Sequence, residues 1–379
     1  MNNAMNDVFT RLATEGVSVW LDGFHSTGRH DLGALLRQEE TRVLTGAVGS
    51  LPAFADLLRG GSHHRERIHE LAREGFTSEE VVWELATQDT RAACDALLSV
   101  HERSGGREGF VSLDIDPRNA FDAGATVAEA RARWRAVNRP NLLVKIPATA
   151  ANLSAISLCL AEGIGVDATA VFSPDRYAQV SEAFLSGLEG ARAAGLDLRS
   201  VSSVASFFVN SLDIEVDRLL DQAGTPEARA MAGKAGIANA RLAYEVHEDW
   251  LASPRWRRLA ASGAVPQRLA WNAVDAPTPL YPDTRYVEEL VAPGTVGVLT
   301  EATLRAVADH GEIRGDSVRR HYAEARRVLS YLPWFGISYP TLVSSLATAT
   351  LRQSASAWGG LLAAVRGELD AHGRALSPL

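Results

Sequence analysis

Short apolar runs alternate with longer amphipathic segments along this whole chain, and about eight such units follow one another. The runs are Gly16–Asp22, Arg42–Val48, Gly109–Ile115, Asn141–Ile146, Gly163–Thr169, Val201–Phe208, a weaker Arg268–Ala273, and Thr295–Leu299. Runs so short and so continuously apolar read as strands buried on both faces, the pattern of a parallel sheet. Parallel neighbours need a crossover between them, and the intervening segments have helical spacing. Ser78–His101, Val127–Val137, Asn152–Ala161, Pro174–Ala193, Pro226–Glu248, Ser317–Tyr331 and Tyr339–Leu369 are the expected helices. The clearest, Ser78–His101, has Ser78 and Glu80 at its start and Ser104, Gly105 and Gly106 past its end.

Eight strand–helix units predict an α/β fold closed into a (β/α)8 TIM barrel, with extra helices between strands and at the C-terminus. No repeat, low-complexity tract or Pro/Ser linker divides the 379 residues. One domain over 1–379 is therefore expected, with a helical extension over about 311–379.

Composition removes several functions. A formal net charge of -8 without any basic block argues against a nucleic-acid surface. No apolar run approaches membrane-spanning length, and Met1–Thr10 lacks the regions of a signal peptide. Cys94 and Cys159 sit in apolar helical patterns without metal-ligand spacing, as small core residues of a reducing compartment do. A cytoplasmic protein with a small-molecule substrate, and no nucleic-acid or membrane partner, is the expectation.

One residue stands out against that background. Among 38 Lys+Arg, lysine occurs only at Lys145 and Lys234, so arginine serves wherever a generic surface cation is wanted. Lys145 closes the apolar run Asn141–Val144 and precedes Ile146, Pro147, Ala148 and Thr149. An amine can deprotonate and attack a carbonyl, whereas guanidinium stays charged. The plainer alternative is a lysine at the edge of the core with its head in solvent.

In a (β/α)8 barrel, chemistry sits where strands end. Those ends supply Asp22, Asp114 with Asp116, Lys145, Asp167 with Thr169, and Ser206 with Phe208. A lysine among carboxylates and hydroxyls suits Schiff-base chemistry, in which one carboxylate moves the proton of a sugar-like hydroxyl. Strands also end in Asp simply because that end meets polar loops, so each carboxylate has a structural reading too. A cluster of Asp22, Asp114, Asp116 and Asp167 gives an alternative, a Mg²⁺ site holding a diphosphate for prenyl transfer or cyclisation. For Asp116 the structural alternative is a cap on the turn at Pro117-Arg118.

The chain resembles transaldolases, the class I Schiff-base barrels of the pentose phosphate pathway, and their longer bacterial form in particular. The resemblance rests on Val17–Asp22, Thr90–Cys94, Gly105-Gly106, Val111–Arg118, Lys145–Thr149, Phe172-Ser173 with Arg176-Tyr177, Ser203–Val209, Ala238–Tyr244 and Tyr281–Asp283. It implies Lys145 as the Schiff-base lysine and Asp22 as the acid/base. Thr169 and Asp114 would hold the water, although the family has Glu at the latter place. Ser206 and Phe208 would line the substrate pocket, and no cofactor is implied.

The departures share one sign. Aligned on Pro52, a substrate-binding amide of the family becomes Leu51, and another amide becomes Asp167. The arginine that follows the sixth strand becomes Ser211, and further phosphate-holding residues become Ala273, Val274 and Asp275. A pocket that loses cations and gains a carboxylate loses charge-assisted contacts to phosphate. A divergent enzyme acting on a different keto substrate, such as one of secondary metabolism, is the expectation; an ordinary transaldolase with its phosphate held by Arg218 or Arg268 is the alternative.

Other features read as structure. Trp20, Trp250, Trp256 and Trp271 are expected in the core, and His25, His63 and His64 in solvated loops. The aromatic segment Tyr331–Gly336 is expected to cover the barrel mouth or a partner chain, which makes a homodimer one expected state.

Overall fold

In the computed structural model, all eight runs form parallel strands. These are β1 Ser18–Asp22, β2 Leu44–Val48, β3 Phe110–Asp114, β4 Leu142–Pro147, β5 Val166–Val171, β6 Ser203–Phe208, β7 Arg268–Asn272 and β8 Val296–Leu299. They pair in chain order, and β8 returns to β1 to close the barrel. The structure describes residues 2–24, 32–37, 43–49, 54 and 62–376. Leu51 and His25 lie outside these.

Alternation along a strand sends every second side chain inward. Trp20, Val48, Phe110, Leu143, Val204, Ala270, Val296 and Val298 form one buried apolar layer. The next inward position along several strands is polar: Asp22 follows Trp20, Lys145 follows Leu143, Ser206 follows Val204 and Asn272 follows Ala270. The apolar layer is therefore a floor and the polar one lies toward the strands' C-terminal ends. Gly46 makes room for the floor, because a Cβ there would lie 2.4 Å from Cε2 of Trp20.

The outward residues pack on helices. The helix Ser78–Arg103 carries a capping box between Thr77 and Glu80, which fixes its start. Pro174–Ala193 has the expected bounds. The expected helix Pro226–Glu248 is instead two, Pro226–Met231 and Ala235–Leu251. Gly233 divides them with φ +69°, its N–H held by Asp217 at 2.8 Å. His63 and His64 lie on the helix Ser62–Arg73 and not in a loop. Trp250 and Trp256 meet edge to face at 5.2 Å and are buried with Trp20 and Trp271, as core residues. Cys94 and Cys159 are free and buried, and burial pushes both thiols up to about 12. No helix among the described residues is long and apolar enough to cross a membrane.

The C-terminal helix Tyr339–Leu376 decides what covers the barrel. Leu342 near its start packs with Leu212, Val216 and Leu220 of the helix that follows β6. Farther on, the Trp358 ring lies tilted against Trp83 with centroids 4.9 Å apart, beside Val81 and Val82. The helix thus lies over the strands' C-terminal ends, with cavities beneath it. The aromatic segment before it is not the cover. Its Leu332 is buried against the same helix after β6, and Trp334 is 80% exposed.

Candidate active site

Three adjacent strands place Asp114, Lys145 and Asp167 side by side, because Asp114 pairs with Lys145 and Lys145 with Asp167 in the ladder. The lysine Nζ lies 3.4 Å from Oδ1 of Asp114 and donates to the Gly49 carbonyl at 3.1 Å. Its side chain is 12% exposed, so it is enclosed yet reachable. Asp167 is fully buried; Ser206 donates to its Oδ1 at 2.7 Å and Ser112 to its Oδ2 at 2.9 Å. Ser112 is a polar neighbour that sequence reasoning passed over. Its signal was the period of two, which puts it on the inward face of β3 with Asp114.

Charge in this layer is unequal. Burial pulls the Lys145 ammonium down, but Asp114, Asp167 and Asp22 outweigh it and hold the amine above its ordinary value. Burial pushes the Asp167 carboxyl up, opposed by Lys145 and the two serine hydroxyls. Asp22 is likewise pushed up by burial, with Lys145 opposing and Asp275 and Asp114 reinforcing. The resting amine is therefore protonated at neutral pH, and Asp22 is a carboxyl made easier to protonate. Asp167→Asn removes one of the charges that raise Lys145. The pH midpoint of borohydride trapping at Lys145 is expected to move to lower pH, and an unchanged midpoint would mean the carboxyl is already neutral.

Other expected residues separate into two groups. Thr169 is buried at the end of β5 opposite Pro147. Next to it, still within β5, Ala170 has φ +58° where the β5–β6 register shifts, a strained irregularity in the strand. Phe208 faces Phe172 with ring centroids 5.1 Å apart. Asp116 does not join the cluster. Its carboxylate accepts from the Arg118 side chain and caps the turn Pro117–Asn119. The four-carboxylate cation site is therefore not assembled, and among the described residues no group of three or more His, Cys, Asp and Glu is placed to hold a metal ion.

Beyond β6 and β7 the surroundings hold amide and carboxylate. Ser211 sits in the first turn of the helix Asn210–Ala223, and Asn210 donates from Nδ2 to the Asp275 carbonyl at 2.9 Å. The Asp275 carboxylate accepts from Thr300 at 2.7 Å and also from Thr303. Neither arginine named as a substitute is there. Arg268 is tied to Glu108, Ser18 and the Thr295 carbonyl at the opposite end of the barrel. Arg218 pairs with Glu215 on an exposed helix face.

Fold and centre together define a (β/α)8 barrel with a lysine–carboxylate centre at its strands' C-terminal ends. The chain belongs to the transaldolase/fructose-6-phosphate aldolase family, whose sequence model matches residues 51–365. It is 45% identical to the transaldolase of Parafrankia sp. (strain EAN1pec) over 365 residues, 96% of this chain and 99% of that protein. It is 46% identical to transaldolase 1 of Streptomyces coelicolor over 96% of this chain and 95% of that protein. For the transaldolase of Thermobifida fusca the identity is 45% over 97% of this chain and 100% of that protein.

Proposed function

We propose that this protein is a lysine Schiff-base enzyme of transaldolase or aldolase type, whose keto substrate is not the sugar monophosphate gripped beside β6 and β7. The single observation behind the chemistry is Lys145, flanked in register by Asp114 and Asp167. After losing its proton the amine adds to the substrate ketone. The carbinolamine then loses water to give an iminium, with Asp114 and Thr169 holding that water. Asp22 accepts the proton of the hydroxyl beside the scissile carbon–carbon bond. The bond breaks, the hydroxyl-bearing fragment leaves as an aldehyde, and the electron pair passes to the iminium to leave an enamine. The enamine adds to a second aldehyde, whose oxygen takes the proton back from Asp22, or is itself protonated. Water then hydrolyses the resulting iminium to release the ketone and Lys145. The iminium is the electron sink, so this chemistry asks for no cofactor.

The altered substrate rests on Ser211, Asp275 and Asp167, which offer hydroxyl and negative charge where an anion would need cations. The relatives' names give no support to a place in secondary metabolism. A second reading, the ordinary transaldolase reaction, is favoured by the full-length likeness to proteins of that name. A coupled assay with fructose 6-phosphate and erythrose 4-phosphate separates the two. Slow turnover is expected, and Ser211→Arg is expected to raise kcat/KM for fructose 6-phosphate about tenfold, one charge-assisted contact. Rapid turnover by the unaltered protein would decide for the ordinary reaction. Borohydride reduction in the presence of a panel of ketones should fix the donor covalently to Lys145. No adduct with any ketone would refute the Schiff base.

A further inference from the structure

We propose that an oxyanion on the substrate binds Arg176, in a cavity between the ends of β4 and β5 and the C-terminal helix. This deepens the Schiff-base reading and rests on it for the word substrate. The cavity has a volume of about 340 Å³. Thr149 beyond β4, Phe172 and Ser173 beyond β5, Arg176, and Ser344 and Thr348 of the C-terminal helix line it.

Three observations point to an anion. Nη1 of Arg176 is buried and has no hydrogen-bond partner, and a native structure seldom leaves a buried charged donor unused. No aspartate or glutamate lines the cavity, and Arg176 is the one cation that does, among the described residues. Ser173 is the N-cap of the helix Pro174–Ala193, so the positive end of a 20-residue helix opens on the same space.

The position also suits the chemistry. Phe172 lines the cavity and stacks on Phe208, which lies two residues beyond Ser206, the hydroxyl that donates to Asp167 beside Lys145. Ala170, which follows Thr169, lines it as well. A ketone held at Lys145 among carboxylates would then extend its anionic end to a face of the mouth where Arg176 makes the described lining cationic. A guanidinium fork accepts phosphate or carboxylate equally well in geometry.

Calorimetric titration tests this without needing turnover. Inorganic phosphate and, separately, acetate are titrated into the unaltered protein, Lys145→Ala, Arg176→Gln and Arg176→Lys. At least one anion is expected to bind the first two alike and to bind Arg176→Gln about tenfold or more weakly. Arg176→Lys, which keeps the charge and loses the fork, should fall between, and it keeps the test open if the glutamine variant does not fold. The better-bound anion names the substrate's terminal group. Equal affinity in the unaltered protein and Arg176→Gln, or no binding of either anion, overturns the proposal. A missing borohydride adduct alongside Arg176-dependent anion binding would instead sink the lysine chemistry alone.

Discussion

Lys145→Ala is expected to remove the borohydride adduct entirely and to lower kcat by about 10³-fold or more, because the covalent route disappears with its nucleophile. Charge is removed with it. Asp114, Asp167 and Asp22 all act on this ammonium, and taking it away leaves buried carboxylates uncompensated. Asp167 and Asp22 are already pushed up by burial and would rise further without Lys145 opposing it. A carboxyl raised in the folded state favours folding at low pH and withdraws that support as pH rises through its folded value. The variant's loss of stability should therefore grow with pH in chemical denaturation. Lys145→Arg separates the two effects, since guanidinium keeps the charge and cannot attack a carbonyl. It should show no adduct and a weaker pH dependence of stability. Substantial turnover in either variant would rule out the lysine as nucleophile.

Gly46→Ala is expected to cost about 3 kcal/mol of stability by overpacking. The new Cβ would lie 2.4 Å from Cε2, 2.5 Å from Nε1 and 2.6 Å from Cδ2 of Trp20. Trp20 is fully buried in the floor layer among Val48, Phe110 and Leu143, so its ring has nowhere to retreat. The denaturation midpoint should fall, and Trp20→Leu in the same chain should recover part of the loss. Such non-additivity marks a shared contact. An alanine at Gly46 with unchanged stability would mean that the floor is less tightly filled than the geometry indicates.

The expected strand positions agree closely with the barrel because a buried parallel strand leaves a continuous apolar run that no surface element imitates. Inward alternation then carries the reading from Trp20 to Asp22 and from Val204 to Ser206. It would have carried it to Ser112 too, but a serine inside an apolar run looks like ordinary tolerance until a buried carboxylate is found against it. Helix starts were legible where a cap or proline marks them, as at Pro174 and at Ser78, although the capping side chain at the latter is Thr77 and not Ser78. The break at Gly233 was missed because helical periodicity runs across it; the turn there is set by Asp217, from another helix.

By itself, the sequence determined a parallel barrel, the strand ends at which polar side chains gather, and a lysine at one of them. Those are properties of local periodicity, and local spacing decides them. Tertiary structure alone decided which carboxylates reach the lysine. Asp116 lies two residues from Asp114 yet turns to Arg118, while Asp167 arrives from the next strand by ladder register. It also decided that Arg268 serves the far end of the barrel, that the C-terminal helix covers the mouth, and that Arg176 keeps a buried donor free beneath it. Each of these depends on how elements distant in the chain approach one another, and pairing across such distances is set by packing of the whole barrel.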